Sequence, residues 1–280
     1  MTALADKAAP AVDDETALSR KIRSQRHSGR DRLITGATVV VLLIIWEIAA
    51  RQVDPILAAP PSTVFQALIT MIGDGTLPKA VWESAQPFLA GYALAIVVGV
   101  PLGLLIGRFR VVEAAIGWLV IAGYAMPMIA LTPVFMLWFG LGFAVKAAMV
   151  MTMTVFAISI NTWNGVQNVP RGIIEVGTAF CASQPRILRQ IVIPSVIPSI
   201  MTGLRIGIGK AVVGIVIAEF FTAIGGVGGV IVDAGHSFQP DRMFAAVVVL
   251  MLAAVALTGL IGLIERWLAP WNRSITGGAH

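Results

Sequence analysis

Six stretches of this 280-residue chain are apolar over the length that a bilayer demands: 33–50, 84–107, 113–139, 143–165, 201–223 and 243–264. A hydrocarbon core takes about 20 apolar residues per helix. Lipid offers no hydrogen bonds to an open backbone, so continuous apolar runs of this length are expected to be helical. Apolar residues make up 57% of the chain and charged residues 12%, against about 25% charged in soluble domains. So little charge cannot cover a water-facing surface, and the surplus apolar surface must face lipid. The expected fold is all-α, a polytopic membrane protein with six transmembrane helices. The run from Leu33 to Ala50 exceeds the about 7–15 residues of a signal-peptide core, so it is read as a retained first span.

The charges that remain give an orientation. Lys7, Arg20, Lys21, Arg23, Arg26, Arg30, Arg32, Arg108, Arg110, Arg171, Arg186, Arg189, Arg266 and Arg273 lie on one side of such a six-span path. Arg51, Lys79, Lys146 and Arg242 lie on the other. Basic residues accumulate in cytoplasmic segments, so both termini are expected in the cytoplasm. Residues 1–32 then form a basic, disordered cytoplasmic tail. A net charge of +5 could suggest nucleic acid in a soluble protein, but here the basic residues sit between apolar runs and act as topology signals. No nucleic-acid partner is expected; the lipid membrane is.

Several chemistries are not expected. Cys181 is alone, so no intrachain disulfide can form. His27, His236 and His280 make no HExxH and no Cys/His cluster, so neither a metal site nor a cofactor is expected. No span contains Asp or His, which leaves no paired catalytic constellation and no catalytic residue. Gly209-Lys210 is followed by Ala211 and lacks the upstream glycine of a phosphate-binding loop, and the Gly225–Gly229 cluster reads as a turn or a broken helix.

Within the spans, Pro127 and Pro133 break the third run, either as a packing kink or as part of a pathway. Glu47 and Glu219 lie near the outer ends of their spans, where water or headgroups can reach them, and structural roles are expected. Lys210 lies deeper; it either snorkels to the cytoplasmic interface or faces the path and attracts an anion. The pathway candidates are Met126, Pro127, Pro133 and Lys210. Gly99, Gly103 and Gly107, and likewise Gly203 and Gly207, recur every four residues and suit close helix packing within the chain. On the outer side, Ser62 is a candidate N-cap for a short interfacial helix over 63–72.

The segment 166–200 is more than a connector. Its core, 170–198, reads PRGIIEVGTAFCASQPRILRQIVIPSVIP. Ile173, Ile174, Val176 and Ala179 can form one apolar side of a short helix. A second short helix is expected from Pro185, with Ile187, Leu188, Ile191 and Val192 apolar, ending at Pro194 and Pro198. Two short helices tethered between spans can transmit a push from a partner, or can rest on lipid headgroups.

This segment resembles the EAA loop of ATP-binding cassette importer permeases. That pattern is Glu-Ala-Ala, three residues, Gly, nine residues, Ile, any residue, Leu-Pro. Glu175 takes the Glu position, Val176 and Gly177 the alanines, and Cys181 the Gly, followed by Ala182 and Ser183. Ile191, Ile193 and Pro194 match the end. Trp46-Glu47, PPSTVF at 60–65, Gly140-Leu141-Gly142, Gly203-Leu204-Arg205, Ala218-Glu219-Phe220 and Pro270-Trp271 resemble the nitrate/sulfonate/taurine branch over roughly residues 40–273.

The resemblance implies a type I importer permease, multi-pass in the cell (inner or plasma) membrane. The permease domain would span 33–273 with a coupling loop at 166–200, followed by a tail at 274–280. It implies three partners: a second permease copy as a homodimer, a separate cytoplasmic ATPase on the loop, and an external solute-binding protein. The chain itself would not be an enzyme. The loop residues Glu175, Gly177, Cys181, Ala182, Ser183, Ile191 and Pro194 would contact or shape the ATPase junction. The solute would be small and anionic, such as nitrate, sulfonate or taurine, although the branch also covers bicarbonate and pyrimidine precursors. Cys181 departs from the pattern: if the position needs φ > 0 it holds strain, and if it needs close approach the junction is looser. The rival reading is a self-contained secondary transporter or channel, which often repeats two halves; no repeat is visible here.

The charge asymmetry makes a first prediction. A reporter fused before Leu33 will be active only on the cytoplasmic side, and external protease cleavage near Arg26 in intact cells would refute the orientation.

Overall fold

The structure is a computed structural model that describes residues 33–268. The 1–32 tail, Pro270-Trp271 and the 274–280 tail lie outside the described residues. Every regular element among the described residues is helical. The described residues divide into two compact units, with the division between Thr63 and Val64.

The first unit holds α1, Leu33–Arg51, an apolar helix of bilayer length. Glu47 sits near its end and accepts hydrogen bonds from the backbone N–H of Ser62 at 3.1 Å and from its hydroxyl at 2.9 Å. Arg51 pairs with the same carboxylate at 2.6 Å. Ser62 was expected to be the N-cap of the next helix, but α2 runs Pro61–Gly73, two residues earlier than that cap allows. Proline at the first helical position needs no N–H partner, and Glu47 rather than Ser62 accepts the free N–H behind it. A carboxylate there also suits the positive end of the helix.

The second unit is built on α3 (Thr76–Arg108), α6 (Phe143–Gln167) and α9 (Ile193–Thr222). Helix α3 begins eight residues before the expected span at 84. Its start follows Gly75, in left-handed conformation at φ 80°, and the Asp74 carboxylate accepts from the Thr76 N–H at 2.9 Å. That backbone hydrogen bond holds the Asp74 carboxyl below its ordinary pKa.

Helix α6 lies between two glycine ridges. On one side, a Cβ at Gly91 of α3 would lie 2.3 Å from the Ala147 carbonyl, and one at Gly103 would lie 2.5 Å from that of Ser159. On the other, a Cβ at Gly203 of α9 would meet Asn161 Cβ at 2.9 Å. The small-residue faces seen in the sequence are therefore used within the chain, where van der Waals packing replaces the missing hydrophobic drive. Phe88, Tyr92, Val150, Ile158, Leu204 and Ile208 fill the core between the three helices. The Tyr92 hydroxyl donates to the Leu204 carbonyl at 2.7 Å, which satisfies a phenol that lipid could not.

The third expected span, 113–139, is not one kinked helix. Helix α4 (Arg110–Ala125) stops, Met126 adopts extended backbone, Pro127 follows outside helical geometry, and a 3-10 turn (Met128–Leu131) leads into α5 (Thr132–Phe139). The two halves are bent by 91°. Pro127 causes the break because the residue before a proline is driven out of helical geometry. Pro133 causes none; it occupies the first turn of α5, where proline is tolerated.

Two further helices complete the unit: α10 (Gly226–His236), in a segment expected only as a turn or broken helix, and α11 (Pro240–Leu268). Arg205 of α9 reaches Glu265 of α11 at 2.5 Å. Among the described residues, five helices are long and apolar enough to cross a membrane, and the bent pair makes up to six, in accord with the expected all-α polytopic fold.

The glycine contacts predict a graded response. Gly103→Leu will lower the unfolding midpoint of the detergent-solubilised protein, by the about 1–3 kcal/mol typical of overpacking. Gly259→Ala, with no atom within 4 Å of its added methyl, will leave it unchanged or raise it. Equal midpoints for the two variants would refute the tight α3–α6 seam.

Candidate functional site

The 166–200 segment folds as a hinge-free brace. After α6 ends at Gln167, α7 spans Arg171–Ala179. Its end is closed by two paired bonds: the Cys181 N–H donates to the Thr178 carbonyl at 2.9 Å, and the Ala182 N–H donates to that of Gly177 at 3.0 Å. This 5→2 and 6→1 pattern requires a left-handed residue just past the helix, a place usually taken by glycine. Here Cys181 takes it, at φ 54° and exposed. Of the two readings of this position, backbone conformation is the one the geometry matches, and Cys181 carries the strain of a Cβ in that region. Ser183 then turns extended, and its carbonyl accepts from the N–H groups of Arg186 and Ile187 in α8 (Gln184–Ile187).

Gly177 matters for closeness. It is buried, and a Cβ there would lie 2.7 Å from Cδ1 of Ile191 and 3.3 Å from Cγ1 of Ile187. Ile174, Ala182, Leu188 and Ile191 pack on Val166, Val169, Ile187, Val192 and Val196. The apolar side expected from Ile173, Ile174, Val176 and Ala179 is therefore split. Ile174 and Gly177 face inward. Ile173, Val176 and Phe180, spaced three and four apart, form an exposed apolar row, with Phe180 83% exposed. Glu175 is exposed beside it, and its carboxylate has no hydrogen bond or ion pair among the described residues.

Pro194 and Pro198 do not end the second helix. Helix α8 runs through a π-turn at Leu188–Val192 straight into α9, giving one helix over Gln184–Thr222. A proline crowds the carbonyl four residues back and lacks an N–H. Within the π-turn the bonds run i→i+5, as in the Ile193 N–H to Leu188 carbonyl bond, so the ladder is already widened there. Pro194 then occupies the first turn of the next α-helical stretch.

Of the pathway candidates, the structure brings three together. Met126, Pro127 and Lys210 line one cavity of about 270 Å³, opened where α4 breaks. The Lys210 ammonium lies 5.1 Å from the centre of the Tyr124 ring. Pro133 is not part of the lining.

A second polar cluster sits near the far end of α9. Glu219 is fully buried, not reachable by water as expected. It accepts from the Ser84 hydroxyl at 2.7 Å and the Gly228 N–H at 2.8 Å, and it pairs with Lys146 at 3.5 Å. Lys146, also buried, donates to the Ile224 carbonyl at 2.6 Å. Ser84 accepts from the Val227 N–H and Glu83 from the Gly226 N–H, each at 2.9 Å. The turn into α10 is thereby tied to α3 and α6. Gly226 is obligatory: its φ is 80°, and a Cβ would lie 1.9 Å from the Glu219 carboxylate. Sequence reasoning placed Lys146 in an outer loop and missed the pair; the only signal was that two opposite charges border apolar spans 73 residues apart.

Removing one partner of a buried pair leaves a stranded charge, at a cost of about 3–5 kcal/mol. Lys146→Met is expected to lower the thermal midpoint sharply, and adding Glu219→Gln to restore much of the loss. A double variant no more stable than Lys146→Met would show that the two groups are not coupled.

The comparisons with known proteins agree with this geometry. Residues 99–273 match the family model described as "Binding-protein-dependent transport system inner membrane component". The formylaminopyrimidine transport permease protein of Halalkalibacterium halodurans is 31% identical over 84% of this chain and 94% of its own. The taurine transport system permease protein of Escherichia coli is 26% identical over 92% and 98%. In fold, the chain is similar to an inward-facing structure of the MetNI methionine ABC transporter, at a TM-score of 0.58 and 20% identity, covering 69% of this chain and 95% of that one. With its helical architecture and these matches, the chain belongs to the family of binding-protein-dependent transport system inner membrane components, the permease subunits of ABC importers.

Proposed function

We propose that this permease supplies half of a paired translocation path for a small anionic solute such as nitrate, sulfonate or taurine, and that a separate cytoplasmic ATPase engages α7 and the 180–183 bend. Both termini and the 166–200 segment face the cytoplasm, and an external solute-binding protein delivers the solute at the opposite side of the cell membrane. Hydrolysis of ATP belongs to the ATPase.

The observation that carries this reading is the exposed row Ile173, Val176 and Phe180 beside the unpartnered Glu175, on a helix braced against a membrane span. Exposed apolar rows flanked by a charge mark protein contacts. The brace gives the contact a mechanical consequence. Through Gly177, α7 rests on Ile187 and Ile191, and these belong to the single helix Gln184–Thr222. A displacement of α7 passes into the whole span without a flexible joint. The anionic class rests on Lys210, a cation on the wall of the break in the third span.

The relatives do not agree on cargo. They are named for formylaminopyrimidine, taurine, aliphatic sulfonates and riboflavin, and selection therefore falls on the binding protein and on residues of each permease's own path.

Cys181 provides the test without mutation. A water-soluble maleimide will label it from the cytoplasmic side in the isolated permease, and added ATPase will slow labelling strongly, since burial removes access to the thiolate. In parallel, Glu175→Ala will weaken ATPase attachment and uncouple hydrolysis from transport, as expected for loss of a charged hydrogen bond of about 1.5–3 kcal/mol. Labelling at an unchanged rate, with full coupling in the variant, would overturn the assignment of this surface.

A further inference from the structure

Lys210 stands out among the cations of the apolar helices. Lys146 pairs with Glu219, Arg205 with Glu265 and Arg51 with Glu47. Among the described residues, no carboxylate lies within ion-pairing distance of the Lys210 ammonium, and its recorded partner is the face of the Tyr124 ring. A ring face offsets only part of the cost of an ammonium in apolar surroundings.

Lys210 lies nine residues into the 201–223 run, and its ammonium lies on the wall of the cavity at the break between α4 and α5.

The remaining wall tells what the charge can hold. Tyr124 contributes a hydroxyl with no hydrogen bond among the described residues. Thr152 offers no free proton, because its hydroxyl already donates to the Ala148 carbonyl at 2.8 Å. Met126, Met153 and Phe156 are apolar. A small inorganic oxyanion is polar on every side and needs donors all round to replace its water. Here Lys210 and Tyr124 bring side-chain donors to the wall, and thioethers and a phenyl ring line much of the rest. The volume of about 270 Å³ lies just under the range of roughly 300–1,000 Å³ for drug-sized ligands, which suits a small molecule.

We infer that this cavity, at the break between α4 and α5, is a subsite for a small organic monoanion, with its charged head on Lys210 and Tyr124 and its apolar body against Met126, Met153 and Phe156. The inference rests on the importer reading above and sharpens it. It makes Lys210 a residue that sets the class of solute, favouring an organic carboxylate or sulfonate over nitrate.

The test uses the permease with its co-purified ATPase in lipid nanodiscs. A ligand that binds the folded state raises the unfolding midpoint in a concentration-dependent way. Benzenesulfonate and hexanoate are the organic anions, benzenesulfonamide is the neutral counterpart, and sodium nitrate is the inorganic anion. The expected result is a rise with the two organic anions and none with the other two. Lys210→Met should weaken the apparent affinity at least tenfold while the protein stays folded, and Lys210→Arg should retain the response. A rise with benzenesulfonamide equal to that with benzenesulfonate overturns the role of charge. A rise with nitrate alone overturns the organic body. Unchanged affinity in Lys210→Met, or no rise with either organic anion, overturns the site. Failure of the ATPase to co-purify with the wild-type permease, observed before any ligand is added, instead overturns the importer reading on which the site depends.

Discussion

The architecture depends on how closely α6 is held. Between helices in lipid there is no hydrophobic drive, so association rests on van der Waals contact and on interhelical polar bonds. Glycines on α3 and α9 let both backbones approach α6 to distances that a single methyl would forbid. With that seam closed, Tyr92 can bridge α3 to α9, and the buried core of Val150, Ile158 and Ile208 has no room for lipid. The broken span and the short α10 are then positioned against an assembly that does not yield.

Two polar devices sit on this seam and do opposite things. Near one end of α9, Lys146 and Glu219 neutralise each other while carbonyls and N–H groups of the turn into α10 take up their remaining capacity. Fully satisfied, such a network rigidifies its surroundings. In the middle of the same helix, Lys210 has only a ring. The contrast between a satisfied cation and an unsatisfied one, 64 positions apart in sequence, separates structure-holding charge from charge available to a passenger.

The same helix joins this region to the cytoplasmic contact. The π-turn at Leu188–Val192 is the local adjustment that keeps α8 and α9 continuous past two prolines. A break at Pro194 would have let the loop swing freely. Continuity, together with the tight seating of α7 at Gly177, makes the exposed row Ile173, Val176 and Phe180 a handle on the span that carries Lys210.

The sequence by itself determined the solvent and the class of fold. Long runs with almost no charge admit no other medium, and the six runs coincide with the five long apolar helices and the bent pair, because apolar length is a property of consecutive residues. The family pattern around Glu175 was also legible, since loop motifs are local; at Cys181 the sequence left a left-handed backbone and a close approach both open, and the φ of 54° belongs to the structure. Tertiary structure decided the rest. Helix periodicity did not tell which of Ile173, Ile174 and Val176 turn inward, because all three are apolar and only the neighbour at Ile187 and Ile191 chooses the face. The prolines marked positions where a helix might stop, but whether it stops depends on the hydrogen-bond register of the preceding turn. The fates of Lys146, Glu219 and Lys210 depend on groups 73 or 86 residues away, since the cost of a charge in a membrane is set by what stands opposite it in space.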